Sequence, residues 1–194
     1  LKEIRDKAKK DAEMKGIKLT YLPYVVKAVV AALKQYPRFN ATLDEENRVI
    51  IVKKYFNIGI AVDTEDGLMV PVIKAADMKS VLDIAREAGE LSEKAKDRKI
   101  DLMDLRGGSF TISNIGSIGG YYATPIINYP EVALLMTGKM FDKIVLEDDK
   151  MKVKKMMPLS LSFDHRVIDG ADAARFVNVI KQYLESPELI LKEK

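Results

Sequence analysis

Among 194 residues there is a single histidine, His165, set in the stretch LSFDHRVIDG. An imidazole titrates nearest neutrality of all side chains, which makes it the default general base. His165 stands where an apolar strand-like run ends, a place from which side chains commonly enter a cleft. Asp169 follows four residues later, directly before Gly170, at a natural N-cap position for a last helix. A second stretch, FTISNIGSIGG, ends a strand with Ser113 and Asn114 and runs into Gly116, Gly119 and Gly120. The glycines allow tight backbone approach, and a hydroxyl at such a strand end can donate to a developing oxyanion. Simpler readings stand beside these: Asp169 caps a helix, His165 is a satisfied turn residue, and Ser-Asn-x-Gly is a polar turn. A hydrolase triad of Ser113, His165 and Asp169 is a third choice, because the nucleophile elbow G-x-S-x-G is missing around Ser113. An aspartate only four residues from its histidine is also an unusual orienting partner. The glycine loop is neither G-x-G-x-x-G nor a P-loop, so it is not read as a nucleotide cradle.

The elements that must position these residues follow from periodicity. Residues 1–15 form a charged helix with Leu1, Ile4, Ala8 and Ala12 as its apolar stripe, ended by Gly16. Thr20 is placed to cap a second helix, YLPYVVKAVVAALKQ, apolar nearly all round and therefore buried. RVIIVKKY and NIGIAVDT read as strands, with Asp66-Gly67 turning the chain into a third, LMVPVIK. Ser80 to Lys96 is an amphipathic helix with Leu82, Ala85, Ala88, Leu91 and Ala95 on one side. GSFTISN, EVALLMTGK and KIVLED are further strands, with a turn at Asp148-Asp149-Lys150. KKMMPLSLSF is one strand delivering His165, and ADAARFVNVIKQYL is a final helix with Phe176, Val177, Ile180 and Leu184 inward. No internal repeat or linker interrupts the pattern. The predicted fold is one α/β domain over 1–194, a two-layer sandwich with a mixed β-sheet.

Composition narrows the chemistry. Lys and Arg number 32 against 29 Asp and Glu, a net charge of +3, and both signs are interleaved in KAKKDAEMK and ELSEKAKDRK. Such mixing describes solvated helix faces rather than a nucleic-acid surface. There is no cysteine, which excludes disulfides, thiolate nucleophiles and cysteine metal sites. With one histidine an all-protein zinc site is not expected either, so no metal ligands are assigned. VVKAVVAAL is short and contains Lys27, so no membrane span is expected. The sequence opens in mid-helix at Leu1 with no signal peptide, which reads as a missing N-terminal part.

DHRVIDGADAARF resembles the active-site signature of dihydrolipoamide acyltransferases, the core subunits of 2-oxoacid dehydrogenase complexes. Its H-x-x-x-D-G pattern is shared with chloramphenicol acetyltransferase. GGSFTISNIGSIGG, ATPIINYPEVALL, AVDTEDGLMVPVIKAADMKS and KLTYLPYVVKAVVAALKQYPRFNATLDEE are similar to blocks of that family in the same order. The resemblance spans essentially the whole chain and implies a chloramphenicol acetyltransferase-like fold. It also implies acyl transfer between coenzyme A and a dihydrolipoyl group carried on a separate lipoyl domain. His165 would take the proton of the attacking thiol, Ser113 from a neighbouring subunit would hydrogen-bond the oxyanion, and Asp169 would hold the structure around the histidine. Neither substrate has to bond to the enzyme, so the lack of cysteine is no obstacle.

The resemblance further implies coenzyme A contacts at Arg5, Thr20, Asp63, Ser113, Asn114, Ser117, Gly138 and Met140. Arg5 reads equally as a surface charge, Thr20 as a cap and Asp63 as a turn residue. Homotrimers with active sites between subunits are implied, built into hollow cubic or dodecahedral cores. Leu189, Ile190 and Leu191 resemble the C-terminal anchor that docks into a neighbouring trimer. Lipoyl and peripheral-subunit-binding domains, through which 2-oxoacid decarboxylase and dihydrolipoamide dehydrogenase subunits would be engaged, are absent from the sequence, as is an N-terminal arm. Ser113 and GADAARF look more like acetyl or branched-chain enzymes than succinyl ones, and those two are not separated. A catalytically silent structural core is the alternative reading. The setting implied is cytoplasmic in a prokaryote and the mitochondrial matrix otherwise.

Overall fold

The computed structural model describes residues 1–192, with side chains up to Ile190. Among the described residues there are five α-helices: α1 (Lys2–Met14), α2 (Leu22–Gln35), α3 (Val81–Lys96), α4 (Gly170–Glu185) and the short α5 (Glu188–Lys192). The central sheet has five strands: β3 (Ile58–Ile60), β6 (Val72–Ile73), β7 (Phe110–Asn114), β8 (Ala133–Thr137) and β11 (Leu159–Phe163), in the order β11-β8-β7-β3-β6. β3, β7 and β8 run parallel, while β6 and β11 pair antiparallel at the two edges. The sheet is therefore mixed, as expected. Three antiparallel hairpins stand outside it: β1 (Ala41–Asp44) with β2 (Val49–Val52), β4 (Val62–Thr64) with β5 (Gly67–Met69), and β9 (Phe141–Glu147) with β10 (Lys150–Met156).

One core joins helices to sheet. α2 buries Tyr24 to Leu33 without a break, as its all-round apolar sequence requires. Lys27 within this run donates from Nζ to the carbonyls of Asp77 and Lys79 at 3.2 Å each, so its charge is not left bare. Phe176 of α4 stacks on Phe39 with ring centroids 4.0 Å apart and touches Phe110 of β7. Phe110 and Ile112 are fully buried in this helix-side core. Side chains alternate across a strand, so Thr111 and Ser113 point to the opposite face of the sheet. α3 starts with a reciprocal capping box between Ser80 and Asp83, which satisfies two otherwise orphaned backbone donors.

Several expected elements divide, each at an identifiable cause. NIGIAVDT is two strands. Ala61 still donates to the Ile112 carbonyl at 2.9 Å, but Val62 leaves the central sheet for the hairpin with Met69. LMVPVIK is broken at Pro71, which has no N–H for a ladder and whose carbonyl accepts from Ile60 at 2.8 Å. KKMMPLSLSF is likewise cut by Pro158: its first half is β10, and only Leu159–Phe163 leads to His165. Thr20 is not the N-cap of α2. Tyr21 holds that position, and the Thr20 hydroxyl accepts from the Leu22 N–H at 3.3 Å. Strand β1 was not expected; Asn40 ahead of it donates to the Lys53 and Tyr55 carbonyls at 3.0 and 2.9 Å, which fixes the β1–β2 hairpin. Ile190 is buried in the chain's own core, a correction to its expected place in a contact between trimers. The side chain of Leu191 lies outside the described residues.

Candidate active site

His165 occupies the turn between β11 and α4. Asp164 donates its N–H to the Val132 carbonyl at 2.8 Å and accepts from the N–H groups of Val167 and Ile168 at 3.0 Å each. Val167 and Ile168 are buried, and the turn they anchor leaves His165 exposed, its ring 5.5 Å from that of Phe163. The Asp164 carboxylate is held by Arg166, whose Nη2 lies 2.7 Å away and whose Nη1 also reaches Glu45 at 3.0 Å. Bonding to Arg166 keeps the Asp164 carboxyl below its ordinary range. Sequence reasoning overlooked this pair, although both members flank His165 in DHR.

Asp169 is the N-cap of α4: its Oδ1 accepts the Asp172 N–H at 2.8 Å with extended backbone at φ −90° and ψ 163°. That bond, ahead of all charges, lowers its pKa. A carboxylate favoured in the folded state contributes stability above its unfolded pKa, and the contribution disappears as pH falls through the folded value. Asp169→Ala should therefore lower the melting temperature by about 2–4 °C at neutral pH. Thermal melts of both proteins should converge in acid, where parent and variant both lack the carboxylate.

Ser113 stands at the end of β7 beside Met136 of β8, and its carbonyl accepts from the Thr137 hydroxyl at 3.5 Å. Asn114 turns the chain: its Oδ1 accepts the Gly116 N–H at 3.0 Å, and the Ser117 hydroxyl donates to its carbonyl at 3.1 Å. Gly119 has φ +97°, a left-handed conformation that favours glycine.

This turn forms one wall of a cavity of about 330 Å³, within the range of small-molecule sites. Thr20, Asn114, Ser117, Gly138 and Met140, all expected contacts, line it. Arg5 stands one residue behind: its guanidinium lies 4.7 Å from the centre of the Tyr21 ring and donates to the Tyr21 hydroxyl at 3.1 Å, and Tyr21 lines the cavity. Ser113 and Asp63 do not line it; Asp63 is exposed on the β4–β5 hairpin, opposite Leu68. His165 is not among the lining residues either, and no described contact joins it to Ser113. Leu22, Val25, Gly116, Thr137, Lys139 and Met157 also line it and were not among the expected contacts. Lys139, between two expected contacts, was within reach of the motif.

The glycines let the walls meet. A Cβ on Gly116 would lie 2.7 Å from the Gly138 carbonyl oxygen, and one on Gly138 would run into the carbonyl oxygen of Tyr121. Because backbone cannot yield as a side-chain end can, Gly138→Ala should destabilise the fold by about 1–3 kcal/mol. Thermal melts of the variant beside the parent measure that loss.

Comparison with known proteins decides the family. The family model for 2-oxoacid dehydrogenases acyltransferase (catalytic domain) matches residues 1–192. The chain belongs to this family. It is 50% identical over 189 residues to the dihydrolipoyllysine-residue acetyltransferase component of the pyruvate dehydrogenase complex of Bacillus subtilis, covering 97% of this chain and 43% of that protein. The chain thus spans less than half the length of that relative. Two solved structures, the dihydrolipoamide acetyltransferase of Azotobacter vinelandii and a cubic core of a pyruvate dehydrogenase multienzyme complex, each superpose with a TM-score of 0.95. Each is 46% identical and covers 98% of this chain and 78% of the other. The A. vinelandii enzyme was studied for the catalytic roles of a serine, a histidine 52 positions later and an asparagine four beyond that. Chloramphenicol acetyltransferase matches with a TM-score of 0.54 at 18% identity, which supports the expected fold class and nothing further.

Proposed function

We propose that this chain transfers an acyl group between a dihydrolipoyl thiol and coenzyme A, with His165 as base and Ser113 as oxyanion donor. One observation carries the reading. Ser113, His165 and Asp169 are separated by the same 52 and 4 positions as the serine, histidine and asparagine of the A. vinelandii enzyme. The third residue differs, aspartate here and asparagine there. Both are good helix N-caps, and Asp169 caps α4, so its role is to hold the turn rather than to exchange protons.

The imidazole of His165 takes the S–H proton of one thiol, whose pKa of about 8.5 needs only a base near neutrality. The sulfur attacks the thioester carbonyl, and the resulting oxyanion accepts from the Ser113 hydroxyl. Collapse expels the second sulfur, which recovers the proton from the imidazolium. The 330 Å³ cavity has apolar walls at Leu22, Val25, Met140 and Met157 and polar groups at Thr20, Asn114 and Ser117. Those walls suit the amide-bearing pantetheine arm of coenzyme A, with the cations Lys139 and Arg5 for its phosphates. Asp63 remains the weakest of the proposed contacts.

His165 and Ser113 act on one carbonyl in this reading, and within a single chain they are not in contact. A second copy therefore supplies one of them, in a homotrimer that builds a larger core, as the cubic core of the similar complex suggests. Lipoyl domains and the other enzymes of such a complex are its partners. The acetyl-transferring relatives favour an acetyl group over branched-chain ones. A prokaryotic cytoplasm is the setting this reading carries.

The test is transfer from acetyl-coenzyme A to free dihydrolipoamide, run beside isobutyryl-coenzyme A as donor. Rapid acetyl transfer with slower isobutyryl transfer is expected. No transfer from either donor by an oligomeric preparation favours a silent structural core instead.

A further inference from the structure

Beneath the strand that carries Ser113 lies a buried polar cluster that the proposed reaction does not use. Glu131, between the cis Tyr129–Pro130 bond and β8, is 7% exposed. Its backbone N–H donates to the Asn128 carbonyl at 2.9 Å, Asn128 Nδ2 donates to the Thr111 hydroxyl at 3.4 Å, and both side chains stabilise its carboxylate against the cost of burial. Oε2 has no hydrogen-bond partner among the described residues. The charged group set against it is Lys53, just after β2, whose Nζ donates to the Gly108 carbonyl at 3.1 Å. Two glycines make the room. A Cβ on Gly108 would lie 2.8 Å from Glu131 Oε1, and one on Gly59 would lie 2.8 Å from the Thr111 hydroxyl. Burying a carboxyl is costly, so a chain that surrounds one with two donors, a lysine and two glycines holds it for a purpose.

Thr111 is fully buried on β7, two residues before Ser113 and on the same face of the sheet. Asn128 belongs to the long crossover between β7 and β8, which also accepts the Ser162 hydroxyl of β11 at the Pro125 carbonyl. The carboxyl thus ties the crossover to the strand. We infer that Glu131 is a positioning residue for Ser113, its buried carboxylate fixing the end of β7 through Thr111 and Asn128. Both donors and Lys53 act on the charged form. Burial pushes the Glu131 carboxyl up to about 7, so the cluster changes its protonation near neutral pH.

This inference rests on the acyl-transfer reading, so the parent chain is assayed first. Absence of transfer there overturns that reading, whereas the comparison of variants bears only on Glu131. The experiment compares the assembled parent with Glu131→Gln in acetyl transfer from acetyl-coenzyme A to dihydrolipoamide. Expected for E131Q is a roughly tenfold lower kcat with KM for coenzyme A within about twofold. The acid limb of the rate profile should also change. In the parent the Glu131 carboxyl must lose its proton for the cluster to hold β7; E131Q has no such group, so its acid limb should be shallower. A melting curve shows that E131Q is folded. A carboxyl raised in the folded state makes the parent lose stability as pH climbs from about 4.5 to about 7, and the variant should lack that loss. Should E131Q not fold, Thr111→Val, which removes one donor at nearly constant volume, is expected to lower kcat in the same way. Unchanged kcat and an unchanged acid limb in a folded variant, with only the melting temperature altered, overturn the inference.

Discussion

His165→Ala is expected to lower the rate of acetyl transfer by about 10²–10⁴-fold, the range over which a positioned general base acts. The loss should fall on kcat, because the cavity proposed to take coenzyme A is lined by other residues. His165 is exposed in its turn, while the buried Val167 and Ile168 hold that turn in place. The variant should therefore melt within a degree or two of the parent. An inactive but equally stable H165A separates chemistry from structure, since a satisfied turn histidine would leave the rate intact. A full rate in H165A would sink the mechanism.

Ser113→Ala is expected to lower kcat by about 10²–10³-fold, the loss seen when an oxyanion donor is removed. KM for coenzyme A should change little, because Ser113 does not line the cavity. The proposed sharing of one site between copies has a sharper test. S113A and H165A, each nearly inactive alone, should regain part of the parent rate when dissociated and reassembled together. Only a mixed assembly can bring an intact histidine from one copy to an intact serine of another. No recovery in demonstrably mixed assemblies would overturn the sharing of one site between copies.

Much of this arrangement was legible in the sequence because the governing rules are local. His165 was placed by strand-to-helix punctuation, and Asp169 by cap chemistry. Thr20, Asn114, Ser117, Gly138 and Met140 came from the family resemblance, and the structure gathers them at one cavity. Non-local terms were harder to read. Pro71 and Pro158 each divided a run that periodicity treated as one strand, since a missing N–H matters only once the neighbouring strand is known. β1 was overlooked because four residues make little pattern, and its anchoring lies in the reach of Asn40 to Lys53 and Tyr55. Ile190 looks like a terminal contact residue in sequence, yet α5 folds back so that it joins the chain's own core. Glu131 gave no local signal: only the folded sheet brings Lys53, Gly108 and Thr111 around it.

The β9–β10 hairpin has a consequence for dynamics. Its seven cross-strand pairs run from Phe141↔Met156 to Glu147↔Lys150, and it belongs to no larger sheet. Ile144, Leu146, Met151 and Val153 share one face and are all more than 60% exposed. A two-stranded ribbon alone in water is marginally stable, so in a lone chain its amides should exchange with solvent in the fast, local-opening regime. The amides of β7 and β8, buried in the sheet interior, should exchange only with global unfolding. Deuterium uptake across residues 141–156 therefore reports whether another surface covers this ribbon, and slower uptake in an assembly would time that event. The ribbon runs from the Gly138–Met140 wall of the cavity and returns at Met157, another of its walls, so the same uptake also times events at that cavity.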